Sequence, residues 1–256
     1  MNLHKQLLTE SDCFKAGRTI HPQGVMVHST GANNPYVSRY VQPDDGVLGK
    51  NRYGNHWNQG GIAKCTHAFV GKATDGSIVT YQTLPWAMRG WHCGRGNKGS
   101  GNDTHISFEI CEDGLNDRDY FLAVYREAVE LTAMLCREFN LDPKKDGVII
   151  CHAEGYRRGI TTGHEDVEHW WPKHGRSMDN FRSDVIREME GEDEMSYEQF
   201  VEYMERYEAE KAQKPASEWA KPGLAQAKAR GITDGSRPLS HATRQEVALM
   251  VNAALK

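Results

Sequence analysis

Five short apolar runs punctuate the first 152 residues: "GVMVHSTG" (24–31), "THAFVG" (66–71), "SIVTYQTL" (77–84), "HISFEIC" (105–111) and "GVIICH" (147–152). Each reads as a short strand bounded by loop residues. Asp75-Gly76 turns the second run into the third as a hairpin. In "HISFEIC" the residues alternate, with Ile106, Phe108 and Ile110 on one face and Ser107, Glu109 and Cys111 on the other. From Asp117 to Phe139 the period changes. Phe121, Val124, Tyr125, Ala128, Leu131, Thr132, Leu135 and Phe139 fall at helical spacing. Asn116 or Asp117 can cap that helix and Asn140 can end it. "SMDNFRSDVIREM" (177–189) predicts a second helix, capped by Ser177, with Phe181, Val185 and Met189 inward. Strands followed by helices make the first 190 residues an α/β domain.

The remainder has a different character. Residues 191–215 are highly charged and predict a linker helix, with Ser196 and Gln199 as a capping box ahead of Phe200, Met204 and Tyr207. Residues 216–256 predict a small all-α module: a helix, a stop at Gly231, a loop, and a helix capped at Thr243. Trp219, Leu224 and Ala227 share one face there; Val247, Met250, Val251 and Leu255 share another.

Composition excludes several classes. A formal net charge of −4 gives no footing for nucleic acid or an anionic membrane. No apolar run approaches the roughly 18 residues that span a bilayer. The opening "MNLHKQLLTESDCF" lacks the apolar core of a signal peptide, so the expected site of synthesis and storage is the cytoplasm. Six scattered cysteines, with no C-x-x-C pair, read as reduced thiols rather than disulfides or a zinc ribbon.

The candidate chemistry lies at the ends of the strands. His28 and His152 each close an apolar run that has no packing need for histidine. Asp166 follows His152 by fourteen residues, enough chain to turn back. Two strand-end histidines and a loop carboxylate make an open three-ligand zinc site, one ion per chain, with a position left for water. Glu109 is either a solvent-facing strand carboxylate or the base that a hydrolytic zinc site requires. The Gly-, Asn- and aromatic-rich stretch 32–61 is long enough to be a functional loop.

The ordered set "VMVHST", "THAFVG", "WHCGRGN", "ISFEIC", long helix, "ICHAEGY" and "GHEDVEHWW" resembles the zinc-dependent N-acetylmuramoyl-L-alanine amidases, the family of phage lysozyme-type amidases and peptidoglycan recognition proteins. The resemblance covers about residues 18–190. It implies a mixed central β-sheet flanked by helices. It also implies His28, His152 and Asp166 as zinc ligands, and Glu109 as catalytic glutamate. His164 stands where many members carry a lysine that steadies the oxyanion, with His169 competing for that place. His67, Trp91, His92 and Asn97 match positions that line the substrate cleft. The fourteen-residue gap before Asp166 departs from the eight to ten of many members, through the insertion "EGYRRGITTG". Cys93 and Cys151 lie near the site in sequence but are not assigned as ligands.

The implied activity is hydrolysis of the amide between N-acetylmuramic acid and L-alanine in peptidoglycan, by an endolysin of phage or prophage origin or by a bacterial autolysin. Such an enzyme waits in the host cytoplasm and then reaches the wall. The alternative is a relative that binds peptidoglycan without cutting it, a class that lacks the third ligand. "WA" (219–220), "GITDG" (231–235) and "TRQEVALM" (243–250) resemble a single S-layer homology repeat, which implies a secondary wall polymer of Gram-positive cells as partner. One such repeat buries little, leaving open a homo-oligomer, pairing with another chain, or packing on the linker helix.

Overall fold

The computed structural model describes residues 1–191 and 197–255. It divides into two compact units, Met1–Glu192 and Asp193–Lys256. Ser196 of the expected capping box lies outside the described residues.

The first unit holds a six-stranded sheet built from β1 (Leu3–Lys5), β2 (Gly24–Ser29), β3 (Ala68–Lys72), β4 (Ile78–Gln82), β5 (His105–Ile110) and β6 (Ile149–Cys151). The spatial order is β1-β4-β3-β5-β2-β6. Only β3 and β4 pair antiparallel, as the hairpin turned at Gly76 (φ 87°); the other neighbours run parallel. The sheet is therefore mixed and is flanked by helices, as the resemblance implied. The helices of this unit are α1 (Asp12–Ala16), α2 (Arg118–Glu138), α3 (His152–Arg158), α4 (Val167–Trp170) and α5 (Met178–Glu190).

Period-two alternation divides the sheet into two faces. Val25, Val27, Ala68, Val70, Ile106, Phe108 and Ile110 pack into one cluster with Phe121, Val124, Ala128, Leu131 and Leu135 of α2 and with Phe181 and Val185 of α5. Asp117 caps α2 by accepting from the Asp119 and Tyr120 amides, and Asn140 turns left-handed just beyond its end. Ser177 caps α5 in a capping box. Glu127 is a buried carboxylate on α2 that the apolar pattern does not anticipate. It accepts from Thr80 Oγ1 and the Asn2 amide at 2.8 Å each, which ties β4 and the residue just before β1 to the helix.

Loop segments cover much of the opposite face. Residues of the 32–61 stretch form their own apolar cluster: Val37, Tyr40, Val41 and Leu48 pack on Phe69 and Tyr81, with Trp57 beside them. The Tyr40 ring stacks on Phe69 with centroids 4.8 Å apart. Farther along, Met26 and Ile150 pack on Cys93 and Ile160. A cleft opens between these two loop-covered patches.

Three elements differ from the sequence reading. The three-residue β1 and the short α1 were not expected. "GVIICH" does not end at His152 as a strand: the strand stops at Cys151, and His152 opens α3. The first half of the insertion "EGYRRGITTG" belongs to this helix, which Gly159 closes at φ 79°.

The second unit holds α6 (Tyr197–Gln213), α7 (Lys221–Ala229) and α8 (Arg244–Ala254), with a longer loop before α8 than before α7. Gly231 is left-handed (φ 68°), and Thr243 caps α8 in a capping box. Trp219, expected to share a face with Leu224 and Ala227, is 87% exposed. All six cysteines are free thiols, five of them buried. No helix among the described residues is long and apolar enough to cross a membrane.

Phe121 is fully buried, edge-on to Trp170 and stacked on His174. Phe121→Ala is therefore expected to cost about 3–5 kcal/mol, and Asp117→Ala, which removes only the cap, about 1 kcal/mol. Urea unfolding of the two variants checks the order. A cap loss as costly as the core loss would contradict this packing.

Candidate metal centre and hydrolytic cleft

His28 is the fifth residue of β2, and alternation turns it away from α2, as it does Met26. In the parallel register β2–β5 its direct neighbour is Glu109. His152 enters from the first turn of α3. Asp166 sits just before α4 with φ 46° and ψ −119°, an unfavourable conformation for a residue with a side chain. It occupies the N-cap position of α4 yet makes no capping bond, because its carboxylate points elsewhere.

It points at the two histidines. His28 Nδ1 lies 2.7 Å and His152 Nδ1 3.1 Å from Asp166 Oδ2, and the two Nδ1 atoms are 3.2 Å apart. Among the described residues these three form the group of His, Cys, Asp or Glu side chains that could hold a metal ion. Ligands about 2.0–2.1 Å from a tetrahedral zinc ion would stand about 3.3 Å from one another, so the observed triangle fits that ion. Two imidazole nitrogens and one carboxylate oxygen are also the donors zinc takes at an open site. Burial lowers the His28 pKa, against the hydrogen bond to Asp166, and so favours the neutral ring that a metal requires. Burial alone would raise the Asp166 pKa, but its hydrogen bonds from His152 and His28 hold the carboxyl well below its usual range.

The fold explains the fourteen-residue gap. After α3 the chain reverses at Gly159 and runs back along the 93–101 loop, through Lys98 N to Gly159 O (2.8 Å), Gly101 N to Ile160 O (2.8 Å) and Thr162 N to Cys93 O (3.0 Å). Thr161 Oγ1 also donates to the His152 carbonyl at 3.0 Å. This return brings Asp166 to His152. Val167 and Trp170, both fully buried, then anchor α4 in the core.

The three side chains form one wall of a cleft of about 420 Å³, lined further by Glu109, Lys64, Trp91, His92, Thr162 and His164. Glu109 Oε2 is buried and has no hydrogen-bond partner. Burial, reinforced by the Asp166 carboxylate, pushes the Glu109 carboxyl well above the usual range, while Lys64 opposes. The reading of Glu109 as a solvent-facing carboxylate thus does not describe the fold. His164 is exposed on the rim, its ring 4.9 Å from that of His152. Trp91 stands at the mouth, 41% exposed, with the Arg89 guanidinium 5.2 Å from its ring centroid.

Two expected cleft residues lie elsewhere. His67 is fully buried; its Nε2 bonds to the Met88 carbonyl (2.7 Å), and its Nδ1 lies 3.0 Å from the Ser107 amide. Both ring nitrogens are committed to the fold, and burial takes the pKa down to about 4. His67, expected to line the cleft, is thus bonded into the fold and is not among the residues lining it. Asn97 lines a neighbouring depression with Arg95, Lys98 and Tyr156, which meets the cleft at Thr162. His169, 3.2 Å from the buried Glu112, and His174, stacked on Phe121, sit away from the cleft. Lys64 and Thr162 were missed. Lys64 adjoins the hairpin, and Thr162 is in the insertion; neither carries a pattern in sequence that marks it.

This geometry separates the roles of Asp166 and His164. Asp166→Ala is expected to lose stoichiometric zinc, whereas His164→Ala retains it, as measured by metal analysis of the dialysed proteins. The converse result would contradict the site.

Residues 17–174 match the model of a family described as N-acetylmuramoyl-L-alanine amidase. No curated protein matches the chain. Among solved structures, PlyL is similar at 21% identity over 72% of this chain and 97% of its own, with a TM-score of 0.50. The PlyG catalytic domain is similar at 20% identity over 74% of this chain and 96% of its own, again at 0.50. The Staphylococcus aureus hydrolase AmiA, solved with its ligand, is similar at 18% identity over 73% of this chain and 82% of its own, with a TM-score of 0.49. At these identities the likeness to PlyL and to the PlyG domain bears on the fold alone. The family match spans more than half of the chain and contains the whole triangle of donors together with Glu109, so the chain belongs to the N-acetylmuramoyl-L-alanine amidase family.

Proposed function

We propose that this chain is a zinc-dependent peptidoglycan amidase that cleaves the bond between the lactyl group of N-acetylmuramic acid and the L-alanine of the stem peptide. The observation that carries the reading is the convergence of His28 Nδ1, His152 Nδ1 and Asp166 Oδ2 beside the unpartnered Glu109 Oε2. A third ligand is what the purely binding alternative lacks, and Asp166 supplies one.

His28, His152 and Asp166 would hold the ion. When bound, it supplies Lewis acidity toward water and the scissile carbonyl. Glu109 Oε2 takes the proton from the attacking water. Its burial suits it to the task, since a carboxyl with a raised pKa holds that proton and then returns it to the leaving amine. His164, on the rim beside His152, donates an N–H to the oxygen that gains negative charge. Trp91 offers a flat apolar surface at the mouth for sugar or peptide.

The finer reading is an endolysin, with the second unit as the part that holds a secondary wall polymer. Support comes from its separate compactness and from the exposed Trp219 beside α7. On this reading Trp219→Ala reduces co-sedimentation with purified Gram-positive walls while amidase turnover on soluble muropeptide is kept. Undiminished sedimentation would contradict it.

The direct test of the chemistry is Glu109→Gln, which preserves volume but accepts no proton. It should retain zinc and lose on the order of 10²–10⁴ in turnover, followed as amino groups released from purified walls. Turnover near that of the parent would exclude Glu109 as the base.

A further inference from the structure

We infer that His92 is a positioning residue: it accepts a hydrogen bond from His28 Nε2–H and so fixes the tautomer and ring setting in which His28 Nδ1 faces Asp166 and His152. The inference rests on the zinc reading above.

The argument begins with proton accounting. A neutral imidazole carries one N–H, and the nitrogen that faces a metal must be the other one. His28 Nδ1 faces the two partner ligands, and in the zinc-bound form it would give its lone pair to the ion, so its proton would then belong on Nε2. His28 Nε2 lies 2.9 Å from His92 Nδ1. The His92 nitrogen is then the acceptor, and its own proton is on Nε2.

His92 Nε2 is buried and has no partner among the described residues. A buried unpaired N–H costs stability, so a histidine kept for packing alone would be expected to use both nitrogens. His67, whose ring lies 6.4 Å away, does so. His92 instead makes its one ring hydrogen bond to His28. The two rings meet edge-on, 5.0 Å apart at 70°, so the contact is directional rather than stacked.

The backbone beneath His92 is clamped. Asn102 Oδ1 accepts from the His92 amide (2.7 Å) and the Cys93 amide (3.2 Å), and Asn102 Nδ2 donates to the Gly94 carbonyl (2.8 Å). Asn102 is itself fully buried. The acceptor is therefore carried on a loop with little freedom to follow a misplaced His28. Metal-bound histidines are commonly oriented by a carboxylate, carbonyl or water on the other nitrogen. Here a second imidazole takes that part.

The test uses the full chain, zinc alone as ligand, and competition with a fluorescent zinc chelator. His92→Phe keeps a ring but no acceptor, and should weaken zinc binding about 10–100-fold. His92→Asn, whose Oδ1 can stand where Nδ1 stood, should recover most of that loss. Parent-like zinc affinity in His92→Phe would overturn the inference, even with a lowered melting temperature, since that marks a packing role. Failure of His92→Asn to recover binding at a parent-like melting temperature would do the same. A parent chain that binds no zinc overturns the zinc reading, and this inference falls with it. Ring ¹⁵N spectra of the zinc-loaded parent need no variant: they should show His28 protonated at Nε2 and His92 unprotonated at Nδ1, and the reverse pattern overturns the inference alone.

Discussion

Three donor atoms held about 3 Å apart, from residues 28, 152 and 166, set the demand that the rest of the first unit meets. Without a metal such a cluster has little to recommend it. Two buried imidazoles face each other, and a carboxylate is drawn out of its helix cap into an unfavourable backbone conformation, at a cost on the order of 1–3 kcal/mol. The arrangement persists because each contributor is fixed from behind. His28 rides an interior strand buried along its whole length. His152 is held by the hydrogen bond from Thr161 to its carbonyl. Asp166 is followed at once by Val167 and Trp170, whose burial anchors the turn.

The two faces of the sheet divide the labour. The α2–α5 face is a conventional apolar core and holds the larger cluster of buried apolar side chains. The loop face spends its strand positions on His28, Ser107 and Glu109 and recovers packing only at its flanks, through the Tyr40–Phe69–Trp57 cluster and the Met26–Cys93–Ile150 cluster. Helices on that face would close the cleft. Loops leave it open between their two patches, with Glu109 on the strand adjoining that of His28.

Much of this was legible from residue pattern. Alternation in 105–110 separated Ile106, Phe108 and Ile110 from Glu109, and those side chains do take opposite faces of β5. The period and capping residues of α2 and α5 sufficed because both helices are long and strongly amphipathic. Parallel pairing was not legible in the same way. The His28–Glu109 adjacency depends on the β2–β5 register, which no local pattern encodes. The same limit hid β1, three residues long and defined by its partner β4. Asp166 converges with the histidines only because α3 occupies the insertion, and "EGYRRGITTG" has no apolar period to announce a helix. His67 misled because a histidine beside a strand looks alike whether it faces substrate or the fold. Its two structural hydrogen bonds come from residues 21 and 40 positions away.

The central claim is that the ion sits on two imidazoles and a carboxylate, with no thiolate, although Cys93 lines the same cleft and Cys151 immediately precedes His152. X-ray absorption at the zinc edge tests this on the unmodified protein. The account predicts a shell of nitrogen and oxygen scatterers at about 2.0–2.2 Å, with imidazole scattering from two histidines. A sulfur scatterer at about 2.3 Å would contradict it.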